Sequence, residues 1–153
     1  MPSGLALGLG AALIAVFAFI AAGRGGSPSV IAVGMDLMAI AISPDGANAY
    51  VVTYDGTVIA VSLATSTPGK PIPIMGAASI AIAPDGATAY VTNSSGSNGE
   101  NGTVTRISLA TGTPGKPIPA GDDPQAIAIN SEGTAAYVVN MNGDNVTVFR
   151  PEH

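Results

Sequence analysis

The chain has 153 residues, 47% hydrophobic and only 10% charged, which excludes a disordered polyelectrolyte and supplies one packed domain. A formal net charge of -5 with five scattered Lys and Arg excludes a nucleic-acid binder, which needs clustered cations to release phosphate counterions. With no cysteine and a single histidine, terminal His153, the chain has no disulfides, no thiolate metal site and no His-activated nucleophile.

Residues 5–22, LALGLGAALIAVFAFIAA, are uncharged and almost wholly apolar, which predicts a helix about 27 Å long that spans a bilayer core. The four residues before it carry no side-chain cation, unlike the basic start of a secretory signal, yet Ile20-Ala21-Ala22 offers a small-residue cleavage site. Both an uncleaved anchor and a cleaved signal follow from this. Residues 1–27 are therefore set apart as a membrane or signal segment with its linker.

From residue 28 onward the chain repeats. Residues 29–33, SVIAV, read as a lone outer strand closed by Gly34, as Gly76 and Gly121 close later ones. Then AIAISPDG at 39–46 returns as SIAIAPDG at 79–86 and AIAINSEG at 126–133. Ile-Ala alternation has the period of a strand, and Pro-Asp-Gly stops any helix and turns the chain. A second strand follows through Tyr50, Tyr90 and Tyr137, and a third at 57–62, 103–108 and 145–150. Thr-Pro-Gly-Lys at 67–70 and 113–116 reads as a type II turn with Gly third. The outer strand after it holds Pro71 and Pro73, or Pro117 and Pro119, two apart, so both leave the same edge without donors.

The tyrosines recur 40 and 47 residues apart, a period that marks solenoids or propeller blades, and four antiparallel strands per unit with a proline-blunted outer strand describe a blade. The prediction is an all-β fold of about three four-stranded antiparallel blades, a partial propeller or half-ring, preceded by an N-terminal apolar helix. The units are about 28–76, 77–121 and 122–153, with the first strand placed to complete the last blade. Three blades fall short of the usual four to eight. A homo-oligomer completing the ring, an open arc, or a piece of a longer propeller would each account for that.

Tyr90-Val91-Thr92-Asn93, with AYVVN at 136–140 and the AIAISPDG unit, resembles the YVTN repeat β-propeller family over about residues 28–150. The resemblance implies the propeller fold and roles at the cell envelope. Some propellers with similar repeats resemble lactonases, which use acids and a divalent metal at the central channel.

Asp45, Asp85 and Glu132, beside Gly46, Gly86 and Gly133, occupy equivalent corners that diverge, whereas a carboxylate pair for catalysis converges within roughly 5 to 10 Å. They read as turn residues. Asn140, Asn142 and Asp144 resemble the start of a calcium loop, but no glutamate follows at the required distance, so a polar hairpin is favoured. Asp122 and Asp123 read as a solvated connection between units. No catalytic residue and no cofactor is predicted. The binding rim is expected at Asn93, Ser95, Asn98, Glu100, Asn101, Asn142 and Asp144, because rigid repeats place function on their loops. The expected partner is a protein or an envelope glycan, with the membrane engaged through residues 5–22. The expectation is a non-enzymatic, extracytoplasmic scaffold, anchored or secreted, with a lactonase-like metal enzyme, or a fragment of a longer propeller without independent function, as the competing readings.

Overall fold

A computed structural model describes residues 28–94 and 101–151. The predicted N-terminal helix and rim residues Ser95, Asn98 and Glu100 lie outside them. The first sheet contains β1 (Leu37–Ile42), β2 (Asn48–Thr53), β3 (Thr57–Ser62), β4 (Thr67–Pro68) and β5 (Ile72–Pro73). The second contains β6 (Ala77–Ile82), β7 (Thr88–Asn93), β8 (Asn101–Ser108) and β9 (Thr113–Asp122), and the third β10 (Pro124–Ile129), β11 (Ala136–Asn140) and β12 (Asn145–Phe149). All pairings are antiparallel between chain neighbours, apart from β5, which pairs with β3. The described residues are thus all-β, three sheets stacked face to face in a propeller-like array.

Alternation decides which face each residue takes. Tyr50 pairs with Ala41, Tyr90 with Ala81 and Tyr137 with Ala128, and cross-strand partners share a face. Tyr50, Val52 and Val58 of the first sheet pack on Ile80, Val91 and Ile107 of the second. Tyr90 and Val104 of the second pack in the same way on Ile127, Val138 and Phe149 of the third. Each junction therefore sets a tyrosine face of one sheet against an isoleucine face of the next.

Three expectations are corrected. Residues 29–33 form no strand and do not join the third sheet; Ile31 and Val33 lie across Ala49, Val51, Ile59 and Val61 of the first. That face is apolar and close in the chain, so covering it closes a shorter loop than reaching the third sheet. Gly34 is not the counterpart of Gly76. Asp36, Gly76 and Asp123 hold the equivalent left-handed position, with φ of 51°, 72° and 55°. Their carbonyls accept the N–H groups of Tyr54, Ser94 and Met141 at 2.8, 2.8 and 2.9 Å.

Thr-Pro-Gly-Lys is not a turn: in the second sheet all four residues lie in β9, in the first Thr67 and Pro68 form β4 and Gly69 and Lys70 run on towards β5, and neither Gly69 nor Gly115 is at positive φ. The chain reverses earlier, where Ser66 and Gly112 take φ of 55° and 64°. This is the one position at which the two copies of that block differ, and glycine there avoids the steric penalty of the left-handed region.

Candidate functional site

One rim of the array carries the Pro-Asp-Gly corners. Gly46, Gly86 and Gly133 each have φ of 69° and donate to the carbonyls of Ser43, Ala83 and Asn130, closing equivalent four-residue turns. The corners also stack: a Cβ on Gly86 would lie 3.6 Å from Pro44 Cδ, and one on Gly133 3.3 Å from Pro84 Cδ.

Asp45 accepts from Ser43 Oγ at 2.5 Å and from the Ala47 N–H at 2.9 Å, and Asp85 accepts from the Ala87 N–H at 2.9 Å. Glu132 accepts from Asn130 Nδ2 at 2.9 Å and Ser131 Oγ at 3.0 Å. Each repeated acid is engaged within its own turn.

The Ser43 hydroxyl, and next the Ala47 N–H, hold the Asp45 carboxyl below its ordinary value of 3.8. A depressed folded value means that Asp45 stabilises the fold above about pH 3.8, and that this contribution is lost as pH falls through the lower folded value. Ser43→Ala should raise the Asp45 value, read by NMR titration, and flatten the acid limb of stability against pH. An unchanged titration would show that the hydroxyl is not the cause.

The opposite rim carries the strand-connecting loops, and here the structure redistributes the predicted residues. Asn93 donates from Nδ2 to the Met75 carbonyl at 3.0 Å and accepts from Thr105 Oγ1 at 2.8 Å. Asn140 is fully buried. Its Nδ2 donates to Asn145 Oδ1 at 2.7 Å and Thr147 Oγ1 at 2.8 Å, and its Oδ1 accepts the Gly121 N–H at 3.1 Å. Asn93 thus clasps β8 of its own sheet and the connection leading in at Met75, and Asn140 clasps β12 of its own sheet and the end of β9 in the second. Asn142 and Asp144 are exposed, the latter at φ of 49°.

Asn101 is exposed at the start of β8. Asp123 is buried and accepts from Gln125 Nε2 at 2.7 Å and from Ser94 Oγ, which ties the second sheet to the third, whereas Asp122 Oδ1 is buried without a hydrogen-bond partner. Among the described residues, no three His, Cys, Asp or Glu side chains gather in a metal-holding group, and no helix is long and apolar enough to cross a membrane.

Sequence reasoning missed a set of exposed apolar side chains on this rim: Met35, Tyr54, Met75 and Met141. Tyr54 and Met141 immediately follow Thr53 and Asn140, the last residues of β2 and β11. Leu37 and Met38 are exposed as well, and with Asp36 and Tyr54 they line a shallow open depression. The available clue was position: an apolar residue placed directly after the strand end, where the repeat needs only a backbone N–H.

No protein-family model and no curated protein matches the chain. Among solved structures it is similar to hydrazine synthase of Kuenenia stuttgartiensis, at 26% identity and a TM-score of 0.67, over 77% of this chain and 34% of that one. It is also similar to a Bacteroides uniformis protein provisionally described as a 6-phosphogluconolactonase, at 22% identity and a TM-score of 0.58, over 74% of this chain and 35% of that one. The second likeness concerns the fold alone. This chain spans about a third of the length of each of these proteins.

Proposed function

We propose that the three sheets are propeller blades of the YVTN-repeat kind, and that they form a binding scaffold presented outside the cytoplasm at the cell envelope through residues 5–22. The ligand-facing surface is the loop rim, and its partner is a protein segment with apolar side chains. One observation carries this reading: Met35, Tyr54, Met75 and Met141 stand exposed on the rim whose backbone is held rigid by the repeated latches to Asp36, Gly76 and Asp123. Methionine adapts its shape to varied partners and tyrosine adds rigid contact area, so the two suit recognition better than solvation. Asn101, Asn142 and Asp144 are exposed on the same rim and would supply polar contacts to the partner.

The competing reading, an enzyme, draws on the names of the two similar structures. Peptides selected from a displayed random library on the full chain are expected to lose about tenfold or more in affinity to the Tyr54→Ser, Met141→Ser double variant. They should bind the Asp45→Asn variant, altered on the other rim, as they bind the parent. Binding indifferent to the rim substitutions would refute the scaffold reading, and lactone hydrolysis that requires an added divalent metal would establish the enzyme instead.

A further inference from the structure

The same repeat positions are buried inside the stack and bare at its ends. Tyr50 is 7% exposed and Tyr90 1%, but Tyr137 is 46% exposed. Val58 and Val104 are completely buried, whereas Val146, at the same place on the third strand, is 53% exposed. At the other end, Ile80 is 6% exposed and its counterpart Ile40 is 64% exposed. The differences lie in what covers these residues, since their own sheets have the same register.

The two bare surfaces are of opposite kinds. The third sheet ends the array with a tyrosine face, on which Val139, Val146 and Val148 accompany Tyr137. The first sheet begins it with an isoleucine face, where Ile40 and Ile42 on β1 remain bare while Ile31 and Val33 strap the outer part. A groove of about 440 Å³ separates strap from strand, lined by Ile31, Val33, Ile40, Val51 and Val61 among others. None of the strands that build the two faces, β1 to β3 at one end and β10 to β12 at the other, contains a charged residue. Continuous uncharged apolar sheet faces of this kind mark interaction surfaces.

We infer that these faces are the two halves of one junction and that a second copy of this chain closes it head to tail, Ile40 and Ile42 of one protomer seating on Tyr137 and Val139 of its partner. The occupant is identified by the fold itself. A tyrosine face meeting an isoleucine face is the junction formed by the first and second sheets and again by the second and third, with equivalent residues. A second copy presents its tyrosine face in the same register to Ile40 and Ile42, so that its partner's β1 covers Tyr137 as β6 covers Tyr50 and β10 covers Tyr90, while Ile31 and Val33 stay between it and Val51 and Val61. Because the contact is heterologous, each protomer uses two different faces, and repeated association builds a ring where the rotation per protomer closes and an open filament where it does not.

The chain contains no cysteine, which makes the polarity of the contact directly readable. Full-length chains carrying Ile40→Cys and Tyr137→Cys, co-expressed and treated with a short bis-maleimide, are expected to give a cross-linked pair joining the two different variants. Either variant alone should give at least about tenfold less. Ile42→Cys with Val139→Cys serves as an independent pair should one of the first fail to fold. Adding Val146→Lys, a change at an exposed position whose counterparts Val58 and Val104 are completely buried in the two internal junctions, is expected to remove the product while leaving the circular-dichroism melting curve of the dissociated chain, recorded at high dilution, unchanged. Monomer only, same-face products equal to the mixed one, or a mixed product indifferent to Val146→Lys would each overturn the proposal.

Discussion

Replacing Tyr90 by alanine is expected to lower the stability of the fold by about 3–5 kcal/mol, the range for emptying a large aromatic from a packed core. The ring is buried between the second and third sheets, 5.7 Å from that of Phe149 and tilted by 54° to it, among Ala83, Val104 and Val138. Its removal opens a cavity at a junction whose strands cannot close over it without losing register. Tyr137→Ala, at the same position of the next repeat, is expected to change the stability of the dissociated chain by less than about 1 kcal/mol, as a half-exposed side chain does. Urea denaturation followed by far-UV circular dichroism measures both. Equal effects at Tyr90 and Tyr137 would mean that the third sheet is covered in the free chain, and would remove the argument from its bare face. An effect at Tyr137 that grows with protein concentration would agree with closure by a second copy.

Gly102→Ala is expected to be the most damaging small substitution, at about 3 kcal/mol, the upper part of the range for overpacking. A Cβ there would stand 2.2 Å from Pro124 Cδ and 2.5 Å from the Asn93 carbonyl oxygen, and the Pro124 ring is itself fully buried. Neither neighbour is the free end of a flexible side chain, so the clash is relieved only by parting β8 from the entry to β10. Gly46→Ala meets nothing within 4 Å and faces only the left-handed backbone at φ of 69°, a penalty of roughly 1–2 kcal/mol. Thermal denaturation of the two variants side by side should place Gly102→Ala well below Gly46→Ala. The reverse order would show that backbone conformation, not the close approach of the sheets, governs these glycines.

The contrast between these two glycines separates what was legible in the sequence from what was not. Gly46 follows Pro-Asp in a repeated unit, and local chemistry alone assigns it to a turn, because proline fixes φ and glycine tolerates positive φ wherever the chain is. Gly102 follows Asn101, which the sequence places on the binding rim, yet it lies buried in β8 because the next sheet's Pro124 packs against it. Nothing beside it in the chain encodes that neighbour. Asn93 and Asn140 divide in the same way. As polar residues at strand ends they are natural loop contacts, and only the folded chain shows their amides clasping Thr105 and Met75, or Thr147, Asn145 and Gly121.

Local rules thus determined the strands, their two-residue alternation, the Pro-Asp-Gly corners and the number of sheets, since each depends on residues adjacent in the chain. The tertiary structure decided what depends on distance through space: which tyrosine is buried, where the segment at 29–33 lies, and that the outer strand absorbs Thr-Pro-Gly-Lys while the reversal falls at Ser66 and Gly112. Identical repeats carry identical local instructions, and burial depends on what stands opposite each face. For this protein the same tyrosine is core at positions 50 and 90 and surface at position 137.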